Sequence, residues 1–177
     1  MLAVRMIQII ESHADRLAEG LIHKLADSQE CRQLLAHVPA HELKHRAYEI
    51  YHNLSDWLLT KTESEIEERY TGVGMRRAHQ EVPFSQLLFA IHATKEYLWE
   101  YLRQEGLLEP EDLIGEMELL HAIERFFDRS LYFAAVGYES ATAEKSFMNS
   151  RPAGTRPERQ PHHASLTVAD QPKEKFS

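Results

Sequence analysis

Eleven of the 177 residues are histidines, and their spacing is the first place to look for chemistry. His41 and His45 stand one helical turn apart, and His52 lies two turns further along the same side. Imidazoles at i and i+4 can share a metal ion. No carboxylate or cysteine is fixed beside them by the sequence, and Glu42 falls elsewhere on the helical wheel. Solvated surface histidines are the plainer reading. His41-Glu42-Leu43-Lys44 opens like a histidine-kinase phosphoacceptor box, but His45-Arg46 stands where Thr-Pro would follow. His92-Ala93-Thr94-Lys95 has the phosphotransfer pattern of His, two residues, then Lys. Glu96 replaces the glycine expected next, and its carboxylate would repel an incoming phosphoryl group. His92 and His121 could instead ligate haem in a globin-like bundle. A histidine satisfied by a hydrogen bond is the blander alternative for both. His162-His163 has no scaffold to fix it.

Other side chains suit binding better than bond making. Arg77, Lys95 and Arg125 have the charge to line a pocket for an anionic effector, although ion pairs with the many glutamates explain them equally. Tyr97, Trp99 and Tyr101 cannot share one face of a helix, so some are expected to meet a partner subunit or a ligand. The candidate ligand-binding set is Arg77, His92, Lys95, Trp99 and His121. The sequence shows no nucleophile–base set, phosphate loop or metal box. No catalytic residue, metal or cofactor is therefore assigned. Cys31 is the lone cysteine, and Arg32 is the one basic group beside it.

These residues must be positioned by helices, because no segment alternates in the manner of a strand. Ile7, Ile10, Ala14, Leu17 and Leu21 mark one helix over about Leu2–Ala26. A short helix follows through about His37, with Asp27-Ser28 before it as cap. Leu43, Ala47, Ile50, Leu54 and Trp57 mark the next, over Ala40–Thr60. Thr62 and the carboxylates after it suit the start of a helix that reaches Gln80, with Ile66, Tyr70 and Val73 inward. Gly72 and Gly74 inside it each cost about 1 kcal/mol against alanine; close approach of a neighbouring backbone is the compensation expected, and a break or bend is the rival. Beyond Pro83 a stripe from Phe84 to Leu102 ends at Gly106, a residue suited to a left-handed stop. The last helix spans Pro110 to about Ala143, with Leu113, Met117, Leu120, Phe127, Leu131, Ala134 and Tyr138 at heptad-like spacing. At about 1.5 Å per residue it is roughly 50 Å long, more than a compact domain needs. Its end is expected to project or to pair with a second copy.

The expected fold is all-α, a globin-like or helical-bundle domain of about five to six helices with a long C-terminal helix. Residues 1–143 form the domain. Residues 144–177, with four of the seven prolines, read as a disordered polar tail. The formal charge is −8, and the tail carries six Lys/Arg against four Asp/Glu, so residues 1–143 hold −10. Such a body repels phosphate backbones, which argues against nucleic acid as a partner. The apolar start, Met1–Ile10, is too short to span a bilayer and lacks a signal-peptide layout. A cytoplasmic protein with no membrane contact is expected.

A set of motifs then carries a resemblance. They are Pro39 with Leu43, Arg46-Ala47-Tyr48-Glu49-Ile50-Tyr51, Leu54 and Trp57-Leu58. Tyr70, Gly74, Arg77 and Val82-Pro83-Phe84-Ser85-Gln86-Leu87-Leu88 follow, then Lys95, Leu98-Trp99 and Phe126-Phe127-Asp128-Arg129. Over about residues 5–140 the chain resembles the N-terminal domain of the RsbRD type of RsbT co-antagonists, found on stressosome proteins and some bacterial sensor kinases. The family pattern expects a glycine near position 81, where this chain has Glu81. The resemblance implies a helical, globin-like or bundle domain without haem, dimerisation, and signal input rather than catalysis. In the family the final helix leads into an output module such as a STAS or kinase domain. Here a Pro-rich stretch follows instead, which points to a stand-alone sensor or adaptor. The expected function is a non-enzymatic sensory or regulatory input domain. It would form a homodimer through the C-terminal helix and signal to a STAS protein, switch kinase or sensor kinase. A haem- or metal-binding sensor and a histidine phosphotransfer protein are the alternatives.

Overall fold

The computed structural model describes residues 2–107 and 116–149. The expected helix start at Pro110, the stripe position Leu113 and the tail from residue 150 onward lie outside the described residues. Among the described residues there are eight α-helices, one 3₁₀ turn and no strand. The helices are α1 (Leu2–Ser12), α2 (Ala14–Asp27), α3 (Arg32–His37), α4 (Ala40–His52), α5 (Leu54–Leu59), α6 (Glu63–His79), α7 (Phe84–Gln104) and α8 (Met117–Asn149). The 3₁₀ turn Gln29–Cys31 precedes α3. The all-α reading and the long C-terminal helix hold.

The apolar stripes meet in one interior. Ile10, Ala14, Leu17 and Leu21 are buried, as are Ala47, Leu54, Leu98, Leu102, Ile123 and Phe127. Helix α2 packs on α4 and α7, α1 packs on α4 and α5, and α6 lies along α8. Helix α7 touches both groups and joins them. Met117 departs from the expected stripe and is exposed.

Two breaks raise the helix number above the six read from periodicity. The first divides the expected Leu2–Ala26 helix at His13. That residue leaves helical geometry at φ −103° and ψ 14°, and its Nδ1 lies 2.6 Å from the Tyr101 hydroxyl. The second divides Ala40–Thr60 at Asn53, whose Nδ2 donates to the Glu49 carbonyl at 2.9 Å. A break exposes backbone N–H groups that need acceptors. Glu11, on α1, meets that need by accepting from the Ser55 N–H at 2.8 Å and the Ser55 hydroxyl at 2.6 Å.

Where caps are local, the sequence reading holds. Ser28 accepts from the Glu30 N–H. Thr62 and Glu65 form a reciprocal capping box at the start of α6, and Gly106 adopts φ 68° after α7. Glu81, near where the family pattern expects glycine, has φ 60°. The backbone there is the left-handed one that glycine adopts without steric cost.

Gly72 and Gly74 part company. Helix α6 is continuous through both, so there is no break. A Cβ at position 74 would lie 2.8 Å from the Tyr138 nitrogen and closer still to the Ala134 carbonyl oxygen, whereas at position 72 the nearest neighbour is an Arg76 Nη1 at 3.5 Å. Gly137, on α8, is the reciprocal partner: its Cβ would meet the Thr71 backbone. The two helices therefore touch backbone to backbone at one crossing. Above it, Tyr138 donates to the Val82 carbonyl at 2.7 Å. Lys145 donates to the Ala78 carbonyl at 3.3 Å, placing a cation on the last turn of α6, where the helix dipole favours it. Helix α8 runs through Asn149, six residues past its expected end at Ala143.

Candidate functional site

Helix α6 is anchored to α8 and α4 to α2, so long side chains span the space between α4 and α6. On α4, Glu42, Arg46 and Glu49 follow one another at i, i+4 and i+7. On α6, Arg69, Val73 and Arg77 line up at i, i+4 and i+8. The pairing is antiparallel: Arg69 Nη2 donates to Glu49 at 2.6 Å, and Arg77 Nη1 donates to Glu42 at 2.8 Å. Arg77 also donates to Gln80 at 2.5 Å, and its side chain is only 4% exposed. Arg46 reaches Glu49 with Nη1 at 3.3 Å, but its Nε is buried without a partner.

Behind this zipper lies a cavity of about 90 Å³. Leu21, Leu25, Val73, Ala90, Ile91 and Phe127 supply apolar wall, and Arg46, Arg69 and Arg77 supply its charged side. A groove of about 350 Å³ lies outside. Arg46 and Arg69 stand in both walls, and Trp57 and Arg76 line the groove.

The charges shift one another's titration. The hydrogen bond from Arg77 holds the Glu42 carboxyl below its ordinary range, against the penalty of burial, with help from Arg46 and Arg76. Burial opposes charge on Glu49 most strongly; Arg69, Arg46 and His45 together outweigh it, and its pKa is lowered too. Partial burial, then repulsion from Arg46 and Arg77, lowers that of Arg76. For the two carboxylates the fold favours the charged form, so their stabilisation is present above the ordinary carboxylate pKa and is lost as pH falls through the folded values. The thermal midpoint is expected to fall as pH drops below about 5. In Glu42→Gln, thermal melts across pH should show a shallower acid limb; an identical limb would remove Glu42 from this role.

The residues singled out from sequence do not form one site. Arg77 belongs to the zipper. Lys95 and Trp99 converge on Glu124 of α8: Lys95 Nζ donates to Oε2 at 2.6 Å and Trp99 Nε1 to Oε1 at 2.8 Å. This is a clasp between α7 and α8 with its donors already engaged. His92 is exposed, 3.9 Å from Glu96. His121 is exposed beside Trp57 and Arg125 in a separate groove between α5, α6 and α8. Tyr97, Trp99 and Tyr101 meet neighbours within the chain: Tyr97 sits over Gly20, and Tyr101 contacts His13. His41 is exposed, His45 lies 3.7 Å from Glu49, and His52 stacks on Tyr48. Among the described residues, no group of three or more His, Cys, Asp or Glu is placed to hold a metal. Burial raises the Cys31 thiol to about 11, which disfavours the reactive thiolate.

Arg46, Arg69 and Arg76 were missed. Their signal was present as two helical stripes of charge, but nothing local said that those stripes faced each other across a cavity.

The model of one family, the RsbT co-antagonist protein rsbRD N-terminal domain, matches residues 13–148. The chain belongs to this family. The matched span contains the zipper, the cavity, the α7–α8 clasp and nearly all of α8. Membership brings a regulatory input role of the stressosome type at the level of the family, which is not a known family of enzymes. No curated protein and no solved structure matches the chain. Among the described residues, no helix of this RsbRD N-terminal domain is long and apolar enough to cross a membrane.

Proposed function

We propose that this RsbRD N-terminal domain is a non-enzymatic sensory input domain that pairs with a second copy of itself along α8. The observation that carries the pairing is a stripe of exposed side chains. Tyr132 is 57% exposed, Val136 37% and Phe147 69%, and Ala143 is exposed between them. Their spacing of four, seven and four residues keeps them on one side of the helix, as in a two-helix seam. The opposite side of α8 carries Phe126, Phe133, Ala134 and Gly137 against the domain core. One helix thus serves the interior and the outer surface together. A change in how α6 and α7 seat on it would alter the geometry offered to the second copy, and through that to a STAS protein, switch kinase or sensor kinase. Such signalling requires an input with different affinity for the two arrangements.

Sedimentation equilibrium tests the pairing. Wild-type chain is expected to be dimeric at micromolar concentration. Val136→Glu should be monomeric with an unchanged helical circular dichroism spectrum, because residue 136 lies outside the core. A wild-type monomer at high protein concentration would end the proposal.

A further inference from the structure

We propose that the cavity between α4 and α6, with the groove outside it, binds a short-chain monocarboxylic acid. This rests on the reading of the chain as an input domain and names its ligand class. Three observations point to such an acid. The first is charge. Arg46, Arg69, Arg76 and Arg77 surround the opening and feel one another's repulsion, while Glu42 and Glu49 are the carboxylates engaged with them. Glu65 and Glu68 stand on the outer rim, and Glu65 is held by Thr62 and Lys61. Among the described residues Arg76 makes no salt bridge, and Glu42 attracts it less than Arg46 and Arg77 each repel it. This local excess of positive charge occurs in a chain of net −8. A structural zipper needs matched charges, whereas an anion site needs a surplus.

The second observation is a shortage of acceptors. Arg46 Nε and Trp57 Nε1 are buried without partners, and both residues line the groove. Buried donors are normally satisfied. A carboxylate brings two acceptor oxygens in one plane, which suits the guanidinium fork. The third is the apolar space behind. At about 90 Å³ it is smaller than the ~150 Å³ cavity that accepts benzene, so it fits an apolar body of about three to five carbons. Inorganic phosphate would leave that space empty. A long-chain acid would not fit in it.

The placement suits an input. A carboxylate held between Arg46 and Arg69 bridges α4, which rests on α2, and α6, which is locked onto α8 at Gly74 and Gly137. Occupancy would favour one spacing of the two halves, and the lock would pass that preference to α8.

Isothermal titration of the full chain with sodium butyrate in chloride-free buffer tests the site, beside acetate, octanoate and inorganic phosphate. Butyrate is expected to bind one per chain, at least tenfold more tightly than the other three. Arg76→Gln, at a half-exposed position whose side chain makes no hydrogen bond or salt bridge, should weaken butyrate about tenfold with the melting curve nearly retained. Ala90→Leu should fill the cavity and bring butyrate down to the level of acetate. Equal binding of butyrate, acetate and phosphate would reduce the site to a basic surface patch and overturn the inference, as would no binding at millimolar butyrate. Sedimentation of the same samples separates the two readings. Butyrate bound by a monomer keeps the site and removes the paired input domain, while a dimer blind to butyrate removes the site alone.

Discussion

Gly74→Ala is expected to lower the thermal unfolding midpoint by roughly 6–12 °C. The new methyl group would meet backbone on α8, the Ala134 carbonyl and the Tyr138 nitrogen, and backbone cannot turn aside as a side chain can. Overpacking of this kind costs about 3 kcal/mol, and in a domain of this size each kcal/mol moves the midpoint by about 2–4 °C. Gly137→Ala should cost a similar amount against Thr71. The double variant should cost less than the sum, because one separation of α6 from α8 relieves both clashes. Gly72→Ala is the internal control. Its Cβ meets only the flexible end of Arg76, so helix propensity dominates and stability should rise by up to about 1 kcal/mol. Melting curves of the three single variants decide the matter. Equal behaviour of Gly72→Ala and Gly74→Ala would mean that α6 and α8 do not touch at this crossing.

That contrast shows how far the sequence could be read. Both glycines sit in one helix, two residues apart, and carry the same intrinsic penalty. Only the third dimension separates them, because the partner of Gly74 is 63 residues away at Gly137. The same limit explains the helix breaks. Periodicity runs through His13 and Asn53 without interruption, and the groups that make a break tolerable, Tyr101 for the first and Glu11 for the second, come from distant elements. Features with local causes were legible: the Thr62–Glu65 box, the stop at Gly106 and the apolar stripes. The candidate site was legible only as fragments. Arg77 was singled out, but Lys95 and Trp99 turned out to hold α7 to α8, and the arginines beside Arg77 gained their meaning from the antiparallel approach of α4 and α6. Glu81 is the converse case. A family expectation of glycine marked a left-handed backbone that the chain keeps with a glutamate.

Arg77→Met should be the most damaging charge change in the domain, and Arg77→Met with Glu42→Leu should be milder than that single substitution. Arg77 is almost fully buried and gives its guanidinium to Glu42 and Gln80. Removing one member of a buried ion pair costs about 3–5 kcal/mol, because the remaining charge stays desolvated. Glu42 keeps 28% of its side chain in contact with solvent and can partly rehydrate, so about 2–3 kcal/mol is expected. The midpoint would fall by roughly 4–12 °C. Replacing both partners with apolar groups removes the stranded carboxylate, and such exchanges are often neutral or stabilising. The double variant should therefore recover at least half of the loss, leaving the unmet demand of Gln80 and some exposed surface at Leu in position 42. Urea unfolding of wild type, both single variants and the double variant gives the coupling directly. Strict additivity would mean that the two side chains do not depend on each other. Coupling with recovery would show that this pair helps to hold α4 and α6 at their spacing, beside the Arg69–Glu49 rung.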